Sequence, residues 1–384
     1  MKIKVWDPLT RLFHWSLVVA YIVVVFTSHE ESLLEYHVYT GYLILGFVIF
    51  RVLWGFAGNQ YARFSGFVRG WAEVRCFLKQ VLGFKIPRYI GHNPAVGWYV
   101  LLMLGITIVI TATGIITYGG EENRGIFAGL FPFGMAMYSE VAHRWLTYAV
   151  IALIVGHICA ALIHDFVLKE NIILSMITGV KEDMESWSER VGHLAPEEGR
   201  SGPKLVVYML LAVFGGLAMI YLPLPDKSDP ASIRQPRLID ESGGVRELVI
   251  DNVWQQECAD CHIAFHPTLM SAVSWKRIMD GLNGHFGEIV EIDGTRREEI
   301  EAFLSSSSAE RSTTEVSRKI IYFTDAAQPA PLRITDSPYW QDKHADIKAD
   351  VYKRKAVVSK SNCTACHPWA ASGSFEDRDI SIPE

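Results

Sequence analysis

The residues best able to do chemistry in this chain fall in two C-x-x-C-H motifs. One is "ECADCH", with Cys258, Cys261 and His262; the other is "NCTACH", with Cys363, Cys366 and His367. A thioether-bound haem needs two thiols and one imidazole on a single short helix, and this spacing supplies them, with the His as proximal ligand. One such match could be a zinc half-site. Two in one exported segment read as two covalent c-type haems. Cys76 and Cys159 complete the six cysteines, and each is expected to be a small buried side chain.

The sixth ligands must come from elsewhere. After His367 the chain has neither His nor Met, so its haem must borrow from upstream. His285 in "GLNGHFGE" is assigned to the first haem and His344 in "WQDKHADI" to the second. Met270 and Met279 are weaker alternatives. His266 stands in reserve, since four residues beyond His262 it is too close to reach the far face of that haem.

A haem of this type is attached outside the cytoplasm, so the elements before residue 258 must export it. Five apolar runs are long enough, or nearly, to cross a bilayer, which takes about 20 residues. They are Leu9 to Thr27, Val38 to Phe56, Ala95 to Tyr118, about Val141 to Ile163, and Leu205 to Leu224. Arg63, Arg69, Arg75, Lys79, Lys85 and Arg88 crowd the connection after the second run, whereas "SHEESLLEYH" before it has no Lys or Arg. Basic connections stay inside, so the N-terminus is placed in the cytoplasm. Five spans then put the C-terminal segment in the periplasm of a bacterium, and the uncleaved spans act as its export signal. From Asp226 onward 19 basic residues face 26 acidic ones, a polar tail of about −7 on a nearly neutral, apolar front. No dense block of like charge points to nucleic acid.

Ionisable residues within spans are costly and mark functional positions. His14 lies near the inner end of the first span and His37 at the outer end of the second. His143 and His157 share the fourth, 14 residues apart. At 100° per residue they stand on one face, roughly 21 Å apart along the axis. His14 matches His157 in depth, and His37 matches His143. Each pair could give two imidazoles to one b-type haem in a helix bundle. Arg11, Arg51 and Arg144 could face haem propionates or snorkel to the interface.

The stretches "VWDPLTRLFHWSLV", "RVLWGFAGNQYARFSGFV", "GHNPAVGW" and "ILSMITGVK" resemble the prokaryotic cytochrome b561 family, hydrogenase-type b subunits included, over roughly residues 3 to 181. The resemblance implies a four-helix bundle with two b haems, His14 with His157 and His37 with His143, exchanging electrons with quinone. Residues 248 to 370 resemble the small soluble diheme cytochromes c. The expected organisation is therefore all-α: a membrane diheme b domain (1–181), a cytoplasmic linker and fifth tethering span (182–225), a proline-rich tether (226–247) and a mostly helical diheme cytochrome c domain (248–384). "KENIILSMITGVK" reads as a short surface helix, and Ser305 to Glu315 as a loose polar loop.

Four haems in that order read as a path for electrons between quinol and a periplasmic acceptor, such as a soluble c-type cytochrome. Two other readings stand beside it. Electrons could run inward to quinone from a periplasmic donor or superoxide, or the chain could be the relay and anchor subunit of a larger respiratory or dehydrogenase complex.

Overall fold

The computed structural model describes residues 2–30, 33–84, 87–125, 127–182, 236–240, 245–324 and 329–384. The fifth apolar run and most of the linker and tether lie outside them. The described residues form two compact units, one from residues 1–117 and 137–223, the other from residues 118–136 and 224–384.

Four helices of the first unit are long and apolar enough to cross a membrane: α1 (Pro8–Thr27), α2 (Leu34–Ala57), α5 (Pro94–Gly120) and α6 (Phe133–Leu162). Between them lie α3 (Phe64–Phe67) and α4 (Trp71–Leu82). Local chemistry sets the starts. Asp7 caps α1 by accepting from the Thr10 amide at 2.9 Å, with Pro8 in the first helical turn, where its missing N–H costs nothing. Asn93 accepts from the Val96 amide in the same way ahead of α5. α1 and α2 pack through Tyr42, Phe50 and Trp54 against Leu9 and Phe13, and Ala20, Ile44 and Val48 meet Leu104 of α5. Threonines inside α5 bond back to carbonyls one turn earlier, as Thr111 does to Thr107, so no hydroxyl is left unsatisfied among apolar side chains.

α6 runs into a single wide turn (Ile163–Val167), then α7 (Ile172–Thr178). The surface helix expected here is present. Beyond it the chain adds a strand, β2 (Val180–Glu182), pairing antiparallel with β1 (Lys2–Lys4), Ile3 opposite Lys181. Such short strands carry no readable alternation.

In the second unit a ribbon of β3 (Arg237–Ile239) and β4 (Val245–Glu247) precedes five short helices. These are α8 (Asn252–Cys258), α9 (Ala272–Asp280), α10 (Gly294–Ser306), α11 (Glu315–Thr324) and α12 (Pro338–Lys343). Their core joins Trp254, Met270, Trp275, Met279, Ile300 and Leu304. Residues 118–136 belong to this unit. Glu121 pairs with Lys319 at 2.5 Å, and Arg124 with Glu376 at 2.6 Å.

Two expectations are corrected. The Ser305 to Glu315 run is no loose loop: Ser307 and Ser308 are buried, the Ala309 amide donates to Met270 O, and Leu238 bridges Ser312. Its hydroxyls find partners within the run and just beyond it, Ser308 on Ser305 O and Ser312 on Thr314, so burial leaves little unsatisfied. Cys76 and Cys159 are both exposed, on α4 and on the outer face of α6. Cysteine is apolar enough to stand on a helix face directed away from its bundle.

Candidate haem sites

The expected ligands are brought together in four pairs from distant parts of the chain. The ring centres of His14 and His157 are 6.3 Å apart, and those of His37 and His143 are 6.1 Å apart. In the second unit, His262 and His285 are separated by 6.2 Å, as are His344 and His367. An imidazole nitrogen binds a transition-metal ion at about 2.0–2.1 Å. With the ring centre ~1.1 Å behind that nitrogen, two imidazoles on opposite sides of one ion have centres ~6.3 Å apart. Each pair therefore has the ring-centre spacing that two imidazoles sharing one iron would show.

Hydrogen bonds to the other ring nitrogen aim several of these rings. His37 Nδ1 meets Val24 O at 3.0 Å, and His143 Nδ1 meets Ile110 O at 2.9 Å. His262 Nδ1 meets Ile263 O at 2.7 Å, and His344 Nδ1 meets Trp340 O at 2.8 Å. A carbonyl here selects the Nδ1–H tautomer and leaves the Nε2 lone pair for a metal. His14 and His367 have buried Nδ1 atoms without a partner. Glycines lie near two of these rings. A Cβ at Gly41, one turn after His37, would have no neighbour within 4 Å, whereas one at Gly114 would come within 3.1 Å of His143 Cε1.

The soluble pairs differ in how they are built. α8 ends at Cys258, so Cys261 and His262 lie in the turn beyond it and the first motif is not one helix as expected. His285 stands at the start of a tight reversal in which Phe286 and Gly287 have φ of 55° and 107°. The second motif forms a short 3-10 turn, with the His367 amide on Cys363 O at 2.8 Å. Trp340 stacks on His344 with ring centres 4.2 Å apart, one helical turn before it. Burial, then the neighbouring His344, holds His367 down to about 4, and burial first lowers His285 and His344 as well. All three are neutral near pH 7, the form that donates to a metal. Burial raises the Cys258 and Cys363 thiols to about 11.

His266 takes no part in a pair. It is 1 % exposed, with Nδ1 2.8 Å from Thr268 Oγ1, and lies against Gly373. Sequence reading missed His92, which lies between Trp6 at 4.9 Å and Phe67 at 4.5 Å. Burial first, then Arg51, Lys181 and His157, pull it down to about 3. Being near neither apolar run's centre nor a metal motif, it gave no signal except its place in "GHNPAVGW".

The sequence matches two family models, Prokaryotic cytochrome b561 over residues 5–179 and Dihaem cytochrome c over residues 254–375. The probable Ni/Fe-hydrogenase 1 B-type cytochrome subunit of Escherichia coli (strain K12) is 24% identical over 215 residues, covering 46% of this chain and 89% of that protein. The probable Ni/Fe-hydrogenase B-type cytochrome subunit of Azotobacter chroococcum mcd 1 is 25% identical over 214 residues, covering 46% and 87%. A diheme cytochrome c from Rhodobacter sphaeroides is 35% identical, covers 33% of this chain and 98% of its own, and superimposes with a TM-score of 0.29. Matches to both family models, end to end along one polypeptide, make this chain similar to the prokaryotic cytochromes b561 in residues 5–179 and to the dihaem cytochromes c in residues 254–375.

Proposed function

We propose that this membrane cytochrome passes electrons from quinol to a periplasmic acceptor through two b-type and two c-type haems. His14 with His157 and His37 with His143 hold the b haems. His262 with His285 and His367 with His344 hold the c haems, bound covalently by Cys258, Cys261, Cys363 and Cys366. The observation that carries this reading is the common spacing of 6.1–6.3 Å in all four imidazole pairs. Bound haem supplies reversible one-electron chemistry; the protein's residues fix its ligands, burial and surroundings. Two imidazoles leave no open iron position, which favours electron transfer over oxygen chemistry. Each quinol oxidised releases two electrons and two protons, the electrons leaving singly.

The test is anaerobic mixing of the purified protein with a quinol, following b-type and c-type absorption separately in time. The b bands should rise first and the c bands follow. If quinol reduces neither while a reduced soluble cytochrome or superoxide does, the current runs inward. Similarity to hydrogenase cytochrome subunits favours a second reading, a relay within a larger complex. On that reading, quinol-linked reduction would need co-purified subunits.

A further inference from the structure

Two buried cations, Arg51 and Lys181, stand in the first unit. Arg51 of α2 is 4 % exposed, and its Nη1 has no hydrogen-bond partner. Its guanidinium carbon lies 5.2 Å from the Phe64 ring centre and 5.8 Å from that of Phe67. Phe67 also touches His92, with ring centres 4.5 Å apart, and the buried Nδ1 of His92 is without a partner too. Lys181, brought in by the β1–β2 ribbon, and His157 both lie close enough to His92 to lower its pKa. Asp7, the acid whose charge Arg51 feels, is already engaged by the Thr10 amide, the Thr10 hydroxyl and Trp54 Nε1.

A guanidinium taken out of water without a hydrogen-bonded anion is strongly unfavourable. Its flat fork of donors matches the two oxygens of a carboxylate. Phe64 and Phe67 offer the guanidinium no anion, which points to a group of the assembled protein as the partner of Nη1. Resting on the assignment of His14 and His157 as ligands, we propose that Arg51, backed by His92, binds a propionate carboxylate of the haem those two residues hold. Arg51 would then be a positioning residue. Its charge stabilises the reduced haem, because an electron added beside a cation in a poorly screened site is attracted to it.

The test uses the full-length purified protein, redox titration of both b haems, and resonance Raman of the propionate bending bands. Arg51→Gln should shift the reduction equilibrium of one b haem tenfold or more toward the oxidised form, ~59 mV for one electron. It should also move that haem's propionate band and leave the other b haem unchanged. Arg51→Lys should recover most of the potential without restoring the band, since the charge returns but the fork does not. Arg144→Gln, at an exposed side chain paired with Glu140, should leave the band of the haem held by His14 and His157 unmoved. If Arg51→Gln keeps both haems with unchanged potentials and bands, the proposal is wrong. Should Arg51→Gln lose haem outright, the same band in His92→Gln decides: a shift supports the site, and no shift overturns it. His14→Ala separates the two levels of inference. Full b-haem content in that variant would overturn the ligand assignment itself. Loss of one b haem there, with Arg51→Gln silent, would overturn the carboxylate site alone.

Discussion

A histidine ligand is defined by what holds its second nitrogen as much as by where it stands. His37 and His143 both have Nδ1 against a backbone carbonyl of a neighbouring helix, Val24 and Ile110, so each is oriented before any metal arrives. His37→Ala should therefore remove one b haem, measured as one haem fewer per chain in the alkaline pyridine spectrum, and leave the c haems unreduced by quinol. Normal c-haem reduction in that variant would refute the order of the path. His344 has the same kind of carbonyl contact, to Trp340 O, and is also stacked on the Trp340 ring one turn away. Replacing it by Met exchanges an imidazole for a thioether, which raises the potential of a c haem. His344→Met should make one of the two c haems easier to reduce, and an unchanged titration would exclude His344 as a ligand.

At the scale of elements, helix faces and turns decide which side chains are available. Gly41 lies one turn along α2 from His37, with open space where a side chain would go. Gly41→Leu should lower b-haem content while leaving far-ultraviolet helicity unchanged, because it fills the space without disturbing the helix. His266 shows the opposite use of a histidine. It caps the turn at Pro267–Leu269 and packs on Gly373, whose φ of 77° and contact with the ring leave no room for a Cβ. Burial lowers His266 from 6.5 to about 4. The unfolded chain thus binds the extra proton between those values, and stability falls as pH drops through that window. The loss amounts to ~3 kcal/mol once pH is below both values. Thermal unfolding of the second unit should show this acid sensitivity, and His266→Gln should flatten it.

At the scale of the molecule, residues far apart in the chain are joined by charges that burial makes consequential. Lys319 of α11 is 13 % exposed and is paired with Glu121 and with Glu315. Burial alone would lower its pKa, but the two carboxylates outweigh it and push it up. Removing one partner of a buried pair leaves an uncompensated charge and typically costs 3–5 kcal/mol. Lys319→Met should accordingly speed proteolysis within residues 118–136, an outcome read directly from the cleavage sites. Unchanged cleavage would mean that the pair contributes little to holding that segment in its unit.

Much of this protein could be read along the chain because its signals are local. A span is a run of apolar residues, and a c-haem attachment site is five consecutive positions, so both survive without knowledge of the fold. The depth of His143 and His157 on one helix follows from helical periodicity alone. Only the tertiary structure could decide contacts whose partners are distant: His14 against His157, His285 facing His262, and Arg51 and His92 both against Phe67. It also decided that Ser307, Ser308 and Ser312 are buried, since hydroxyls count as polar in sequence but cost little once they bond to one another and to nearby carbonyls. Periodicity reports which face of an element is apolar, whereas packing alone determines what that face meets.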